Sequence, residues 1–150
     1  MARYGTTCFH TRIGTCGIAW RDNLIVGLEL PHFSPAETLK ALVNRFPDLS
    51  ESKPRGNPLR AKRAIINLLE GRPETFEDIE VNLDSNSKFD REILHQTREI
   101  RPGETVTYSE LARAAGKPGA ARAVGSALGR NPCPIIVPCH RVLAANRSGG

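Results

Sequence analysis

Acidic residues are nearly absent from the last third of this chain. Residues 101 to 150 hold 2 Asp plus Glu against 7 Lys plus Arg, whereas residues 1 to 100 hold 14 of each, so the whole net charge of +5 lies in the carboxy-terminal third. A local cationic excess suits a polyanion such as DNA, whose phosphates release counterions when neutralised. Cysteine is scarce as well. Cys8, Cys16, Cys133 and Cys139 are the only four in 150 residues, and their spacing requires no disulfide framework. No apolar run reaches membrane length, and Met1-Ala2-Arg3-Tyr4 leads into polar residues rather than a secretory leader. The chain therefore reads as intracellular, with reduced thiols and no membrane partner. At 39% hydrophobic and 25% charged, 150 residues suffice for one sizeable core or two small ones.

Turn signals and periodicity divide what is present into two parts, 1–85 and 86–150, with Asp84-Ser85-Asn86-Ser87 as the boundary. In the first, Cys16–Trp20 and Leu24–Leu30 read as hairpin strands around Asp22-Asn23, with Leu24, Val26, Leu28 and Leu30 alternating onto one face. Ser34 and Glu37 form a capping-box pattern around Pro35, and Leu39, Leu42, Val43 and Phe46 make a helical stripe. A helix is expected from Leu59 to Glu70, closed by Gly71, and a strand over Ile79, Val81 and Leu83. In the second part, Ser87 and Asp90 cap a helix carrying Phe89, Ile93 and Ile100, which Arg101-Pro102-Gly103 should end. Thr107 and Glu110 form another capping box before a short helix that stops at Gly116, and Pro118 is expected to begin a helix reaching Gly129. Two short helices joined by Gly-Lys-Pro make a helix-turn-helix candidate. On the second of them Ala121, Val124 and Leu128 share a core face. Arg122 lies roughly 100 to 160° from each, among Gly125, Ser126 and Gly129, on a surface suited to close approach to something narrow and negative.

The apolar run Pro134-Ile135-Ile136-Val137, read as buried and extended, ends in Pro138-Cys139-His140. A buried free cysteine is usually a small hydrophobe, and Cys133 reads that way. Cys139 differs because prolines frame it and an imidazole follows it. A cysteine thiol has a pKa of about 8.5, so a base or positive field must generate its thiolate at neutral pH. In extended backbone His140 points to the opposite face from Cys139, so it reaches the sulfur only through a turn or a bridging water.

Asn131-Pro132-Cys133-Pro134-Ile135-Ile136-Val137-Pro138-Cys139-His140-Arg141-Val142 resembles the active-site signature of the O6-alkylguanine-DNA alkyltransferases, also called methylated-DNA-protein-cysteine methyltransferases. Upstream, Gly103-Glu104-Thr105-Val106-Thr107-Tyr108-Ser109-Glu110-Leu111-Ala112 and Gly119-Ala120-Ala121-Arg122-Ala123-Val124-Gly125 match at the family's spacing. The match is close from about Phe89 to Val142 and loose over the first 85 residues. The resemblance implies an α+β fold, in which an N-terminal α/β, ribonuclease-H-like subdomain packs on a C-terminal helical, winged-helix-like DNA-binding catalytic domain. It implies irreversible, stoichiometric transfer of the alkyl group of O6-alkylguanine, and conceivably O4-alkylthymine, to Cys139 by a monomer that uses no cofactor. Its partner is double-stranded DNA bearing alkylated bases, in the prokaryotic cytoplasm and nucleoid or in the nucleus. Alongside Cys139 the resemblance implies His140 as base, Tyr108 as a hydrogen-bond donor to the leaving guanine that also helps rotate the nucleotide, and Asn131 as support for the turn. Arg122 becomes the arginine finger that fills the gap left by the flipped nucleotide, with Ala120, Ala121, Ala123 and Gly125 in close approach and Thr107, Ser126 and Arg141 as further DNA contacts.

Family members continue past this region through a Gly/Ser-rich loop and a helix whose glutamate orients the histidine. The 150 residues end at Arg147-Ser148-Gly149-Gly150, so a chain truncated at its C-terminal end, with the third member of the relay missing, is the expectation. Two other readings remain open at this point: a non-catalytic alkyltransferase-like lesion-binding protein, whose known forms replace the cysteine, and an ordinary helix-turn-helix regulator. No metal is expected. Cys8, His10, Cys16 and His32 could collect around zinc, but their spacing matches no strong zinc pattern.

Overall fold

Left-handed backbone at Asp22 (φ 51°) and Asn23 (φ 64°) folds the expected hairpin in the computed structural model, which describes residues 3–144. Two consecutive positive φ values are what a two-residue turn matched to strand twist requires. Strands β2 (Gly14–Arg21) and β3 (Leu24–Glu29) flank it, and β1 (Gly5–Thr11) pairs antiparallel with β2 to give the order β1-β2-β3. Strand β1 was not anticipated, since Gly-Thr-Thr-Cys-Phe-His-Thr lacks an apolar alternation.

The expected face of Leu24, Val26, Leu28 and Leu30 is not the one that forms. Ala19 pairs with Gly27 and Trp20 with Ile25, leaving Val26 as the extra residue of a bulge. The bulge shifts the alternation by one residue, so Ile25 and Leu28 are buried while Leu30 is exposed.

Helix α1 (Pro35–Arg45) starts as its capping residues dictate, with the Ser34 hydroxyl accepting from the Glu37 N–H at 3.3 Å. Its buried face is Thr38, Leu42 and Phe46, whereas Leu39 and Val43 from the expected stripe are exposed. The sheet decides this. A Cβ on Gly17 would lie 2.9 Å from Leu42, and one on Gly27 would lie 2.4 Å from the Phe46 ring, so two glycines open the place where the helix settles. Helix α2 (Gly56–Leu69) begins three residues before the expected start, because Pro58 falls in its first turn, where a missing N–H costs nothing. It packs on all three strands. The strand expected over Ile79–Leu83 shrinks to one bridge, Val81 to Ile25. These elements make one compact unit, Met1–Asn82; the second is Leu83–Gly150.

In the second unit, Ser87 caps α3 (Lys88–Thr97), which ends earlier than Arg101 because residues 98–100 tighten into turns, with the Ile100 N–H donating to Thr97 at 3.1 Å. Strand β4 (Val106–Thr107) leads directly into α4 (Tyr108–Ala114), and α5 (Ala121–Gly129) follows. Pro118 does not begin α5. It occupies the second position of a tight turn closed by the Ala120 N–H on the Lys117 carbonyl, and Gly119 (φ 85°) supplies the left-handed third position. Helices α3, α4 and α5 pack together through Ile93, Leu94, Leu111, Ala112, Val124, Ala127 and Leu128, all buried. Ala127 takes the core place expected of Ala121, which is only half-buried. No helix among the described residues is long and apolar enough to cross a membrane.

Candidate functional site

The run from Pro134 to Val137 is a tight turn rather than an extended strand. Ile135 takes a left-handed φ of 75°, and the Val137 N–H returns to the Cys133 carbonyl at 2.9 Å. A β-branched residue held there costs about 1–3 kcal/mol, so the surroundings must impose it. Ile136 and Val137 are buried on one side. Asn131 secures the other: its Oδ1 accepts from the Cys133 N–H and its Nδ2 donates to the Val137 carbonyl, both at 2.9 Å. One side chain thus ties both ends of the turn. Asn131→Ala leaves both groups without that partner and is expected to cost on the order of 2–4 kcal/mol, measured as a lower urea midpoint at unchanged m-value.

Pro138 (φ −80°, ψ 66°) then forms an inverse γ-turn, closed by the Cys139 N–H on the Val137 carbonyl at 2.8 Å. Cys139 opens a single 3₁₀ turn, Cys139–Arg141, in which the Arg141 N–H bonds the Pro138 carbonyl at 3.0 Å. Its thiol is half-buried, whereas Cys133 is fully buried. Neighbouring side chains on a 3₁₀ turn diverge by about 120°, which points His140 away from the sulfur and leaves a water as the natural bridge. His140 is exposed at the edge of the turn. Partial desolvation, then the adjacent Arg141 charge, hold its pKa below the ordinary 6.5, so the imidazole is neutral and able to accept a proton near pH 7.

Strand β5 (Val142–Leu143) follows at once and pairs parallel with β4, Val106 opposite Val142 and Thr107 opposite Leu143. Two motifs about thirty residues apart in sequence are joined by this short ladder. Tyr108, the residue after β4, is the first residue of α4. A full capping box fixes its helix, with Thr107 N–H donating to Glu110 Oε1 at 2.8 Å and Glu110 N–H to Thr107 Oγ1 at 3.1 Å. On α5, Gly125 faces the Tyr108 ring, 3.9 Å from where a Cβ would stand. Arg122, Ala123, Ser126 and Gly129 are exposed, and Ala120, Ala121 and Gly125 are half-buried.

Two residues expected on DNA have other attachments. Thr107 is buried with its hydroxyl in the cap, and Arg141 Nη1 donates to the Ile100 carbonyl at 3.0 Å, tying the 3₁₀ turn to the end of α3. Burial also lowers the Arg141 pKa. Cys8 and His10 share one face of β1, while Cys16, paired with Phe9, points to the other, and His32 bonds Glu29. No group of three or more potential metal ligands occurs among the described residues. The expectations that concern residues 145–150 lie outside the described residues.

Sequence reasoning missed Asp90 and Arg130. The Asp90 carboxylate is buried and receives Arg130 Nε at 2.6 Å and Nη2 at 2.9 Å. Those hydrogen bonds hold its pKa below the usual carboxylate value. The signal was faint, because an acid in the first turn of a helix is ordinarily a solvated cap residue.

Residues 88–150 match the family model described as the DNA binding domain of 6-O-methylguanine DNA methyltransferase. A probable methylated-DNA–protein-cysteine methyltransferase of Acanthamoeba polyphaga mimivirus is 42% identical over 105 residues, covering 70% of this chain and 68% of the viral protein. The Metallosphaera sedula methyltransferase is also 42% identical, over 88 residues that span 59% of this chain and 54% of that one. In three dimensions, the Mycobacterium tuberculosis OGT solved in complex with DNA superposes with a TM-score of 0.77 at 29% identity, over 97% of this chain and 81% of that one. A Methanococcus jannaschii O6-methylguanine DNA methyltransferase gives 0.64 at 28% identity, over 96% and 83%. The 42% identity with the viral relative over two thirds of its length, together with a fold shared with the solved structures, places this chain in the methylated-DNA–protein-cysteine methyltransferase family.

Proposed function

We propose that this chain repairs DNA by direct reversal, moving the alkyl group of O6-alkylguanine in double-stranded DNA onto Cys139 Sγ in one irreversible step. The observation that carries this reading is the mounting of Cys139: a half-buried thiol at the start of a 3₁₀ turn, braced by Asn131 and laddered to the strand that delivers Tyr108. A structural cysteine needs no such frame. The Leu83–Gly150 unit is the catalytic, winged-helix-like DNA-binding part, and the Met1–Asn82 unit is the ribonuclease-H-like part.

O6 of guanine is shielded by stacking and pairing, so the nucleotide must leave the helix before the thiol can reach it. Helix α5 suits that task, with one exposed arginine on a face of alanine, serine and glycine that lets backbone and duplex come close. Arg122 fills the vacated space, and Tyr108, against Gly125, steers the base toward Cys139. His140 then takes the thiol proton through water. The sulfur attacks the alkyl carbon in line, the carbon–O6 bond breaks, and the electron pair passes to guanine as Tyr108 donates a hydrogen bond to it. The products are a thioether and, once the departing guanine anion takes a proton at N1 from water, an unmodified guanine. Nothing regenerates the thiol, so each monomer acts once, without a cofactor, where the cell keeps its DNA.

The deciding experiment incubates the protein with a duplex carrying O6-methylguanine and maps the peptides by mass. A methyl group on the Cys139 peptide supports transfer; a bound duplex with an unmodified Cys139 means a lesion-binding protein instead. Because the His140 pKa is depressed, the imidazole of the folded protein stays neutral to lower pH than that of an ordinary histidine. The transfer rate is therefore expected to fall on acidification at lower pH than an ordinary histidine's titration would give, measured in single-turnover assays across pH.

A further inference from the structure

The ion pair between α3 and α5 is attached to the catalytic turn by the residue that follows it. Arg130 caps α5, and Asn131, next in the chain, holds both ends of the turn that presents Cys139. Helix α3 and the turn that leads into it hold Arg130 at two points. Asp90 receives its guanidinium side-on, and Asn86 Nδ2 donates to its backbone carbonyl at 3.3 Å. Asn86 is itself held, with its carbonyl accepting Arg91 Nη1 at 2.7 Å, and Ser87 Oγ accepts from the Asp90 N–H at 3.2 Å.

We propose that Asp90 and Arg130 are positioning residues for alkyl transfer, setting the register of the α5 end and thereby, through Asn131, the placement of the Cys139 turn. The inference rests on the reading of Cys139 as the acceptor. Packing alone does not call for this pair, since Asp90 is buried but the Arg130 side chain is exposed, and an ion pair open to solvent on one side adds little stability. What it supplies is direction. A bidentate arginine–carboxylate contact admits one geometry, whereas an apolar contact between α3 and α5 would tolerate sliding. The strained Ile135 makes such definition necessary, because a turn holding a left-handed β-branched residue relaxes once its anchors shift.

The test uses Asp90→Asn, Arg130→Gln, the double variant, and Arg130→Lys as a charge-retaining form that folds with the least disturbance. Three quantities are read on the full chain: the single-turnover methyl-transfer rate at saturating duplex, the duplex Kd, and hydrogen exchange at the Cys139 amide. Each single variant should lower the saturated rate about tenfold with Kd changed less than about twofold, Arg130→Lys falling between them and wild type. The double variant should be no worse than either single one, and the Cys139 amide should exchange faster in all. A saturated rate equal to wild type in folded variants overturns the proposal, as do additive losses in the double variant. So does a rise in Kd with the saturated rate unchanged, which makes Arg130 a DNA contact. Amide exchange does not depend on methyl transfer. If wild type transfers no methyl group yet the variants loosen the Cys139 amide, the assignment of Cys139 as acceptor fails while the positioning link stands.

Discussion

Cys139→Ser is expected to abolish methyl transfer, to below about a thousandth of the wild-type rate, while duplex affinity and thermal stability stay close to wild type. A serine hydroxyl is nearly the same size as the thiol but holds its proton far more tightly, so a neutral imidazole acting through water cannot make it a comparable nucleophile. The site tolerates the swap because Cys139 is only half-buried, and the hydrogen bonds that shape the turn use backbone groups and Asn131 rather than the sulfur. Rapid-quench transfer with a methylated duplex, beside a binding titration and a melt, checks all three. Residual methylation above that level on any other residue would show that Cys139 is not the acceptor. Cys133→Ser is the control: it places a hydroxyl in a fully buried position and should lower stability without removing the acceptor.

Arg122→Ala should reduce transfer on duplex substrate about a hundredfold, and far less on a single-stranded oligonucleotide carrying the same lesion. Rotating a nucleotide out of a duplex costs a few kcal/mol of lost stacking and pairing, and a side chain that occupies the gap returns part of it. Roughly 2.7 kcal/mol corresponds to two decades of rate. A single strand has no stack to fill, so the advantage vanishes there. Arg122 is exposed on α5 among Ala123, Ser126 and Gly129, so truncation should leave the fold intact. Equal losses on both substrates would make Arg122 an ordinary phosphate contact, which a steep salt dependence would then confirm.

Local chemistry made much of this legible in advance. Ser34, Ser87 and the Thr107–Glu110 box mark helix starts in sequence because capping is satisfied within four residues, and each is formed. Asp22-Asn23 specifies its turn for the same reason. Features that depend on a partner element were not legible. Strand β1 exists because β2 pairs with it, and the bulge at Val26 overrides the alternation that β3 carries on its own. Pro118 could equally open a helix or sit second in a turn, and Gly119 at positive φ decides for the turn.

By itself, the sequence determined the family, the presence of Cys139 beside His140, and an arginine among small residues at helical spacing, because residue type and spacing are properties of the chain. Only the tertiary structure decided how those groups meet. The parallel ladder between Val106 and Val142, the Tyr108 ring against Gly125, and the Asp90–Arg130 pair each join positions distant in sequence. Such contacts follow from hydrogen bonds and packing that close only when the core of Ile93, Leu111, Val124 and Ile136 is assembled, and no local pattern encodes them.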